Sequence, residues 1–380
     1  MQVINIIGIS VLLVFIVFIL QKRNKRVSDI FLTLTMILFA TFLFSDLLIQ
    51  QRITSLSFIL VSLLSAYIFP SFLIYGMVLI EEEHVLRKKW LWFYSFAIIF
   101  NVFLLFDVFF LNNYNTSDLE NLYENPPFIY HVFYKSSNLF SIIMLLWFLK
   151  PLKLYGLKIR NNFSSIENLQ LKWLENFSYC FIILNALSIL IFLMYNFGYL
   201  ANVKTPFMVI FSGIVLSLFY FSYHGIRQYA LADFSLINEY DKSLNFKSNN
   251  GENLNIKYQS SSLSIKEMNS LFAEIKYLFE IEQIYLEPQL KIDEIAKLLE
   301  VTTHKISQTI NSKANKPFYD YVNEYRINHF KALLANLEKR KFTILALGIE
   351  SGFNSKASLN RIFKQNTGMS PKEFQKAELS

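Results

Sequence analysis

The sequence predicts an all-α protein in two parts: an N-terminal bundle of seven membrane-length helices and a C-terminal all-α domain with two helix-turn-helix units. Up to about Tyr223, apolar residues fall in nearly uncharged blocks of around twenty, whereas beyond Arg227 charged residues recur at helical spacing. In the last quarter of the chain, a pattern of short helix, tight turn and longer helix occurs twice. We therefore expect a transmembrane domain at 1–226, a cytoplasmic linker at 227–262 and a second domain at 263–380.

The composition agrees with a chain that does not lie in one solvent. Hydrophobic residues make up 53% of it, with 39 Phe, and charged residues only 17%, which is apolar for a soluble protein. The single cysteine, Cys180, excludes a disulfide or a Cys-based metal site within one chain. The net charge of +7 fits nucleic acid or anionic lipid as a partner, but membrane proteins also collect Lys and Arg for topological reasons.

Seven apolar stretches are long enough to cross about 30 Å of hydrocarbon as helices. They are residues 3–20, 30–49, 56–80, 90–111, 128–149, 177–200 and 207–223. Alternate loops carry four, three and five Lys or Arg on one side of the membrane, against one, none and one on the other. By the positive-inside rule the N-terminus lies outside and the C-terminal domain in the cytoplasm, as in a multi-pass protein of the cytoplasmic (inner) membrane.

Four ionisable residues lie toward the predicted outer ends of the spans: Asp46, Asp107, His131 and Lys135. Ionisable groups at membrane depth are candidates for function, and His131 and Lys135 share a helix face because they are four positions apart. The favoured interpretation is that Lys135 extends its amine toward water and that the Asp residues cap helix ends. The alternative is an outward-facing pocket for a polar ligand.

No catalytic motif is found in the membrane half. It contains no Gly-rich phosphate loop, no His-Glu zinc pattern and no nucleophile elbow. We therefore assign no catalytic residue, no metal and no cofactor, and we do not expect an enzyme. An Asn- and Ser-rich run at 247–262 is interpreted as a tether, which if flexible spans only about 20 to 25 Å.

The first helix-turn-helix unit is predicted from residue types and spacing. A short helix begins at Asp293, a break follows at 300–302, and Thr302 can cap a second helix with Ile306 and Ile310 inward. The same plan recurs about fifty residues later, with a helix at 343–349 and a turn at 352–355. Its second helix is capped by Ser355 and turns three apolar residues inward: Leu359, Ile362 and Phe363.

Three further helices complete the domain. Ser264 and Glu267 are spaced as a capping box that opens a helix running to about residue 283. A long apolar helix at 318–337 connects the two units. Ser370 and Glu373, with a proline between them, start a final helix.

Two runs at the end of the chain resemble the C-terminal signature of AraC-type transcription regulators. They are Gly352-Phe353-Asn354-Ser355-Lys356-Ala357-Ser358-Leu359-Asn360-Arg361-Ile362-Phe363-Lys364 and Gly368-Met369-Ser370-Pro371-Lys372-Glu373-Phe374. Upstream, the linker-helix pattern of that family matches at Phe318, Tyr321, Arg326, Ala332 and Leu334. The resemblance covers about the last quarter of the chain. It implies two recognition helices that enter successive major grooves on one DNA face, and contact with RNA polymerase.

Three residues depart from the family pattern. Leu359 stands where the family prefers Phe or Tyr, and Gly348 where it prefers Ala, so apolar or small character is kept. Glu300 stands where the first turn often has Gly. We expect Glu300 to loosen the first unit or to place an acid near phosphate.

The helical phase predicts which side chains face DNA. With the apolar residues inward, the outward set of the first unit is Thr303, His304, Lys305, Ser307 and Gln308, and that of the second is Lys356, Ala357, Asn360, Arg361 and Lys364. Lys and Arg are expected to contact phosphate, whereas Gln308 and Asn360 can read adenine edges. Each residue alone also fits a solvated surface, but the set favours DNA. His304 has no partner spaced for a metal site.

Together these features predict a one-component transcription regulator. The expected partners are double-stranded DNA, the lipid bilayer, RNA polymerase and an unknown small-molecule or membrane-borne ligand. Two alternatives stay open: a regulator that is only anchored to the membrane, and a transporter or membrane enzyme fused to a DNA-binding domain. Two recognition helices in one chain would allow binding as a monomer, so the sequence leaves the oligomeric state open.

Overall fold

The computed structural model describes residues 2–22, 26–50, 64–80, 90–106, 128–167, 169–202, 204–227 and 264–379. Over these residues the chain forms fourteen α-helices and no strand, which confirms the all-α class. It divides into two compact units: the described residues of Met1–Leu154 and Leu171–Ala230, and those of Tyr155–Gln170 and Leu231–Ser380. Apart from Arg227, the predicted linker at 227–262 lies outside the described residues.

The first unit is built from apolar helices in the order that the sequence predicts. They are α1 (Gln2–Leu20), α2 (Val27–Gln50), α3 (Ile68–Ile80), α4 (Trp90–Phe106), α5 (Phe128–Asn162), α6 (Lys172–Asn196) and α7 (Lys204–Arg227). Among the described residues, five segments are long and apolar enough to cross a membrane: Gln2–Leu20, Val27–Leu48, Lys135–Asn162, Lys172–Asn196 and Met208–Gly225. The third and fourth predicted spans correspond to shorter helices, because their residues 56–63 and 107–111 lie outside the described part.

Aromatic packing joins four of these helices. The ring of Phe72 on α3 lies 5.9, 5.0 and 5.7 Å, between centroids, from the rings of Phe148 on α5, Phe177 on α6 and Phe221 on α7. One turn after Phe72, a Cβ built at Gly76 would lie 2.2 Å from the Phe148 ring, so only glycine allows this contact. Close approach through small residues is how apolar helices associate when hydrocarbon offers no hydrophobic gain.

The second unit begins with a capped helix, as predicted. Its helices are α8 (Ile265–Glu280), α9 (Ile292–Leu298), α10 (Thr303–Ala314), α11 (Phe318–Ala335), α12 (Ile344–Glu350), α13 (Lys356–Thr367) and α14 (Pro371–Leu379). The Ser264 N–H donates to the Glu267 carboxylate at 2.8 Å, and Ser264 Oγ accepts from the Glu267 N–H at 3.2 Å. Helix α8 ends before the expected residue 283 because Gln283 adopts a left-handed φ of 51° and starts the 3₁₀ turn Ile284–Leu286.

Helix α11 passes through the cores of both helix-turn-helix units. Near its start, Tyr321 packs edge-on against Phe279 of α8 with ring centroids 4.9 Å apart, inside a cluster that also buries Ile306. Twelve positions after Phe318, Phe330 packs edge-on against Phe363 of α13 at 5.5 Å. Helix α11 therefore fixes the two helix-turn-helix units to each other through apolar burial.

A segment from the N-terminal half belongs to the second unit. Residues Tyr155–Gln170, which we call the docked segment, comprise the end of α5 and the chain that follows it. The sequence placed them within the transmembrane domain at 1–226. In the structure, Phe163 forms an antiparallel bridge with Lys291, and the Ser164 N–H donates to the Leu290 carbonyl at 3.1 Å.

Replacing Gly352 by alanine is expected to destabilise the second unit more than replacing Gly368. Both glycines have positive φ, 86° and 80°, which costs an L residue about 1 to 2 kcal/mol. A Cβ at Gly352 would also lie 2.7 Å from the Tyr285 carbonyl oxygen, whereas one at Gly368 meets nothing within 4 Å.

Hydrogen–deuterium exchange of residues 264–379 in the full chain measures this difference. Gly368→Ala should lower the free energy of opening by about 1 to 2 kcal/mol, and Gly352→Ala by roughly twice that or more. Equal losses in the two variants would contradict the close approach at Gly352.

Candidate nucleic-acid interface

The first helix-turn-helix unit consists of α9 and α10. Two residues after α9 ends, Glu300 adopts a φ of 53° in the left-handed region, and the Val301 N–H then donates to the Ala296 carbonyl at 3.0 Å. Thr302 caps α10, since its Oγ1 accepts from the Lys305 N–H at 3.3 Å. The backbone thus explains why glycine suits position 300, because a side chain there adopts a conformation that costs about 1 kcal/mol or more.

The residues predicted to face outward on α10 are not equally accessible. Ile306 and Ile310 are buried, as predicted. His304 is exposed, and three others are half-buried: Lys305, Ser307 and Gln308. Thr303 is only 4% exposed, so its predicted outward orientation is wrong. It is the first residue of the helix, directly after the cap, where the turn folds its side chain inward.

The second helix-turn-helix unit repeats the arrangement with α12 and α13. Ser355 caps α13, since its Oγ accepts from the Ser358 N–H at 3.1 Å. A Cβ at Gly348 would lie 2.6 Å from Leu359 Cδ2. The two departures from the family pattern in this unit are therefore in contact: Leu359 fills the space next to a residue that has no side chain.

Helix α13 presents most of its predicted residues to solvent. Leu359, Ile362 and Phe363 are buried, as the helical phase predicts. The exposed members of the predicted set are Lys356, Ala357, Asn360 and Lys364. Two cations and one amide thus lie accessible on the outward face of this helix.

Arg361 is the exception on α13. Its Nη2 donates to the Tyr319 hydroxyl at 2.8 Å and to the Glu167 carboxylate of the docked segment at 2.7 Å. Its side chain is 39% exposed. Partial burial disfavours the charged guanidinium, but the hydrogen bonds that it donates to Tyr319 and Glu167, and the charges of these partners, outweigh this effect and raise the pKa of Arg361 above its ordinary value.

Arg326 of α11 lies at the centre of the second unit. Its side chain is 2% exposed and donates to two backbone carbonyls of the turn between α8 and α9, Tyr285 at 2.7 Å and Glu287 at 2.6 Å. It also donates to the Ser164 hydroxyl of the docked segment at 3.1 Å and to the Ser164 carbonyl at 3.3 Å. Burial lowers the pKa of Arg326 to about 10, so the guanidinium is still charged at neutral pH.

The docked segment makes further polar contacts with the second unit through Arg160 and Ser165. Arg160 forms a two-bond ion pair with Asp320, at 2.9 and 2.7 Å. Asn354, in the turn before α13, donates to the Ser165 hydroxyl at 2.7 Å. Sequence reasoning missed this whole set, because the Arg326–Ser164 contact joins positions 162 apart and periodicity reports only local neighbours.

The candidate ligand residues of the first unit are only partly described. Asp46 accepts from the Asn5 amide of α1 at 2.6 Å. Lys135 donates to the Ser188 hydroxyl of α6 at 2.9 Å and lies 5.5 Å from the centroid of the Phe192 ring. Asp107 and the side chain of His131 lie outside the described part of the chain. The described members thus have polar partners on neighbouring helices.

Residues 295–377 match the family model of a helix-turn-helix domain. This part of the chain is thus similar to a helix-turn-helix domain, the class of module that the sequence predicts. The match begins within α9 and ends within α14, so it includes both capped helices and the connecting helix α11. No curated protein and no solved structure matches the chain.

Replacing Arg326 by methionine should destabilise the second unit strongly. The methionine fills a similar volume but leaves the Tyr285 and Glu287 carbonyls without their donor, and each buried unsatisfied group costs about 1 to 3 kcal/mol. Arg160→Met is the matched control, because its ion pair with Asp320 is 45% and 35% exposed and is worth about 1 kcal/mol or less.

Hydrogen–deuterium exchange is again the measurement. Arg326→Met should lower protection by roughly 2 to 5 kcal/mol both in residues 264–379 and in the docked segment, which loses the donor to Ser164. A loss no larger than that of the control would rule out the central role of Arg326.

Proposed function

We propose that this chain is a membrane-embedded, one-component transcription regulator whose C-terminal domain binds double-stranded DNA through α10 and α13. The observation that carries the proposal is the pair of side-chain-capped helices, each opening after a tight turn and presenting basic and amide groups outward. In helix-turn-helix proteins the N-terminal residues of such a helix contact base edges in the major groove. The resemblance to AraC-type regulators supports RNA polymerase as a further partner.

The outward side chains of α10 and α13 divide by chemistry. Gln308 and Asn360 carry amides that match the donor and acceptor on the major-groove edge of adenine, so we assign them to base reading. Lys356 and Lys364 carry point charges suited to phosphate. Thr303 is left out of the proposed contact set because it is buried.

Membrane insertion of the first unit is supported by its surface. Apolar side chains on three different helices are between 68% and 70% exposed, namely Val3, Ile99, Val209 and Leu216. A soluble protein rarely exposes so much apolar surface, whereas hydrocarbon solvates it without cost. The excess of Lys and Arg in alternate loops favours the orientation with the DNA-binding domain in the cytoplasm.

Sensing is the further role that we propose for the first unit. Lys135 is a cation in an apolar helix, and its amine reaches across to Ser188 on α6 and to the face of the Phe192 ring. Charged groups within membrane helices are costly and are typically kept for function. A polar or anionic ligand that competes for this amine would change the contact between α5 and α6.

Base and phosphate contacts on α10 and α13 predict different effects. Gln308→Ala and Asn360→Ala should weaken binding to preferred DNA by about 1 to 3 kcal/mol and broaden the bound sequences. Lys364→Ala should weaken binding to all sequences alike and reduce the slope of log affinity against log salt by about one.

Selection of genomic fragments by the purified full chain, followed by salt titrations, measures both effects. Lys276→Ala is the control, since Lys276 lies on α8 and pairs with Glu280 of the same helix at 3.5 Å. The assignment fails if the control weakens binding as much as Lys364→Ala and if Asn360→Ala leaves the bound sequences unchanged.

Removing the Lys135 contact should uncouple DNA occupancy from growth conditions. Lys135→Leu deletes the amine and Ser188→Ala deletes its partner, so we expect both to flatten condition-dependent occupancy while membrane insertion is kept. Ser178→Ala is the matched control, because this serine is on the same helix and its hydroxyl donates to the Leu174 carbonyl within that helix.

Mapping of chromosomal DNA bound in several growth conditions tests this expectation. The wild-type chain and Ser178→Ala should vary together, and the two contact variants should not vary. Occupancy that is constant in the wild-type chain itself would instead favour a passive membrane anchor.

A further inference from the structure

The docked segment contacts α13, the recognition helix of the second helix-turn-helix unit. A carboxylate oxygen of Glu167 lies 2.7 Å from the guanidinium of Arg361, a residue that the sequence predicts to contact phosphate. The other carboxylate oxygen accepts from the Ser165 hydroxyl at 2.9 Å and from the Ile166 N–H at 3.1 Å. The carboxylate is therefore oriented by its own loop. A carboxylate and a phosphate bind the same guanidinium donors, so they compete for Arg361.

A second contact lies at the start of the same helix. Asn354, directly before the cap of α13, donates to Ser165 at 2.7 Å. The N-terminal turn of a recognition helix is the part that approaches base edges in the major groove. Ser165 and Glu167 thus occupy two neighbouring points on the edge of α13 that DNA would approach, and Glu167 adds a negative charge that repels phosphate.

The rest of the docked segment is held firmly. Ser164 is 1% exposed and receives two hydrogen bonds from Arg326. Arg160 pairs with Asp320 of α11, and Phe163 bridges to Lys291 at the start of α9. The Glu167–Arg361 pair is more open, with side chains 31% and 39% exposed, and such a pair changes an equilibrium constant only by about two- to fivefold.

We propose that the docked segment is an intramolecular inhibitor of DNA binding, in which Glu167 and Ser165 cover the Arg361 and Asn354 edge of α13. The inference rests on the proposed DNA-binding function and names the way in which it is regulated. The segment is continuous in sequence with α5 before it and α6 after it, and both contain membrane-length apolar stretches. A displacement of either helix would pull Glu167 and Ser165 away from α13. Pro151 removes one backbone hydrogen bond from α5 just before the segment begins.

A charge-neutralising variant tests the competition for Arg361. The full chain carrying Glu167→Gln should bind a mixed-sequence duplex of about 40 base pairs, long enough for successive major grooves, roughly two- to fivefold more tightly than the wild type at low salt. Glu282→Gln removes the same charge from an exposed position on the second unit and should leave the affinity within about twofold.

The Glu167→Gln change in a chain that lacks Arg361 distinguishes release of the guanidinium from general repulsion between Glu167 and DNA phosphate. In an Arg361→Ala chain, Glu167→Gln should raise the affinity clearly less, by about twofold at most, because the guanidinium that it frees is missing and only the repulsion of phosphate is relieved. An equal gain in both backgrounds, or no gain in the wild-type background, would overturn the proposal.

A cross-link tests the position of the segment directly. In a chain with Cys180→Ser, cysteines at Ser165→Cys and Asn354→Cys should form a disulfide with a mild oxidant, since the two native side chains touch. The oxidised chain should lose most of its affinity for the duplex and regain it on reduction. Failure to cross-link, or undiminished binding by the cross-linked chain, would contradict the inhibitory contact.

The outcomes distinguish this proposal from the one on which it rests. If the wild-type, Glu167→Gln and reduced cysteine chains all fail to bind the duplex at low salt, DNA binding itself is refuted, and the inhibitor with it. If all of them bind with the same affinity, the DNA-binding function stands and only the inhibitor is refuted.

Discussion

The guanidinium of Arg326 is withdrawn from solvent and donates to the carbonyls of Tyr285 and Glu287 and to Ser164. A buried charge is tolerated only when its donors are satisfied, so each of these acceptors must stay in place. The turn after α8, the connecting helix α11 and the docked segment are therefore fixed relative to one another by a single side chain. The geometry of the DNA-binding domain depends on this network.

The Tyr285 carbonyl that Arg326 binds is also approached closely by the backbone of Gly352. This glycine lies in the turn of the second helix-turn-helix unit, and a Cβ there would collide with the backbone of Tyr285. The contact between Gly348 and Leu359 then sets the distance between α12 and α13. The position of the second recognition helix is thus determined by glycines that let helices and turns meet, and by apolar residues that fill the remaining space.

The two units differ in the chemistry of their surfaces. The first unit presents apolar side chains outward and keeps polar groups such as Asp46 and Lys135 against neighbouring helices. The second unit presents cations and amides outward and buries apolar residues of α8, α9 and α10 against the first half of α11. The docked segment is the place where chain from the N-terminal half is shared with the second unit, which gives the proposed signal a covalent route to the DNA-binding surface.

Local chemistry let the sequence predict much of this protein. Periodicity and capping residues such as Thr302, Ser355 and Ser264 specified the helices of the second unit, because caps and helical faces depend only on residues within a turn or two. Residue 303 was assigned to the wrong face, since helical phase does not describe how the first turn folds behind its cap.

The contacts of Ser164 and Glu167 could not be read from the sequence. They join loops to helices across more than a hundred and fifty positions, and only tertiary packing brings such residues together. The sequence by itself therefore determined the helices of the second unit and their arrangement as two helix-turn-helix units. Tertiary structure decided which of their charges meet, because a guanidinium binds whichever carboxylate or carbonyl the fold places within hydrogen-bond distance.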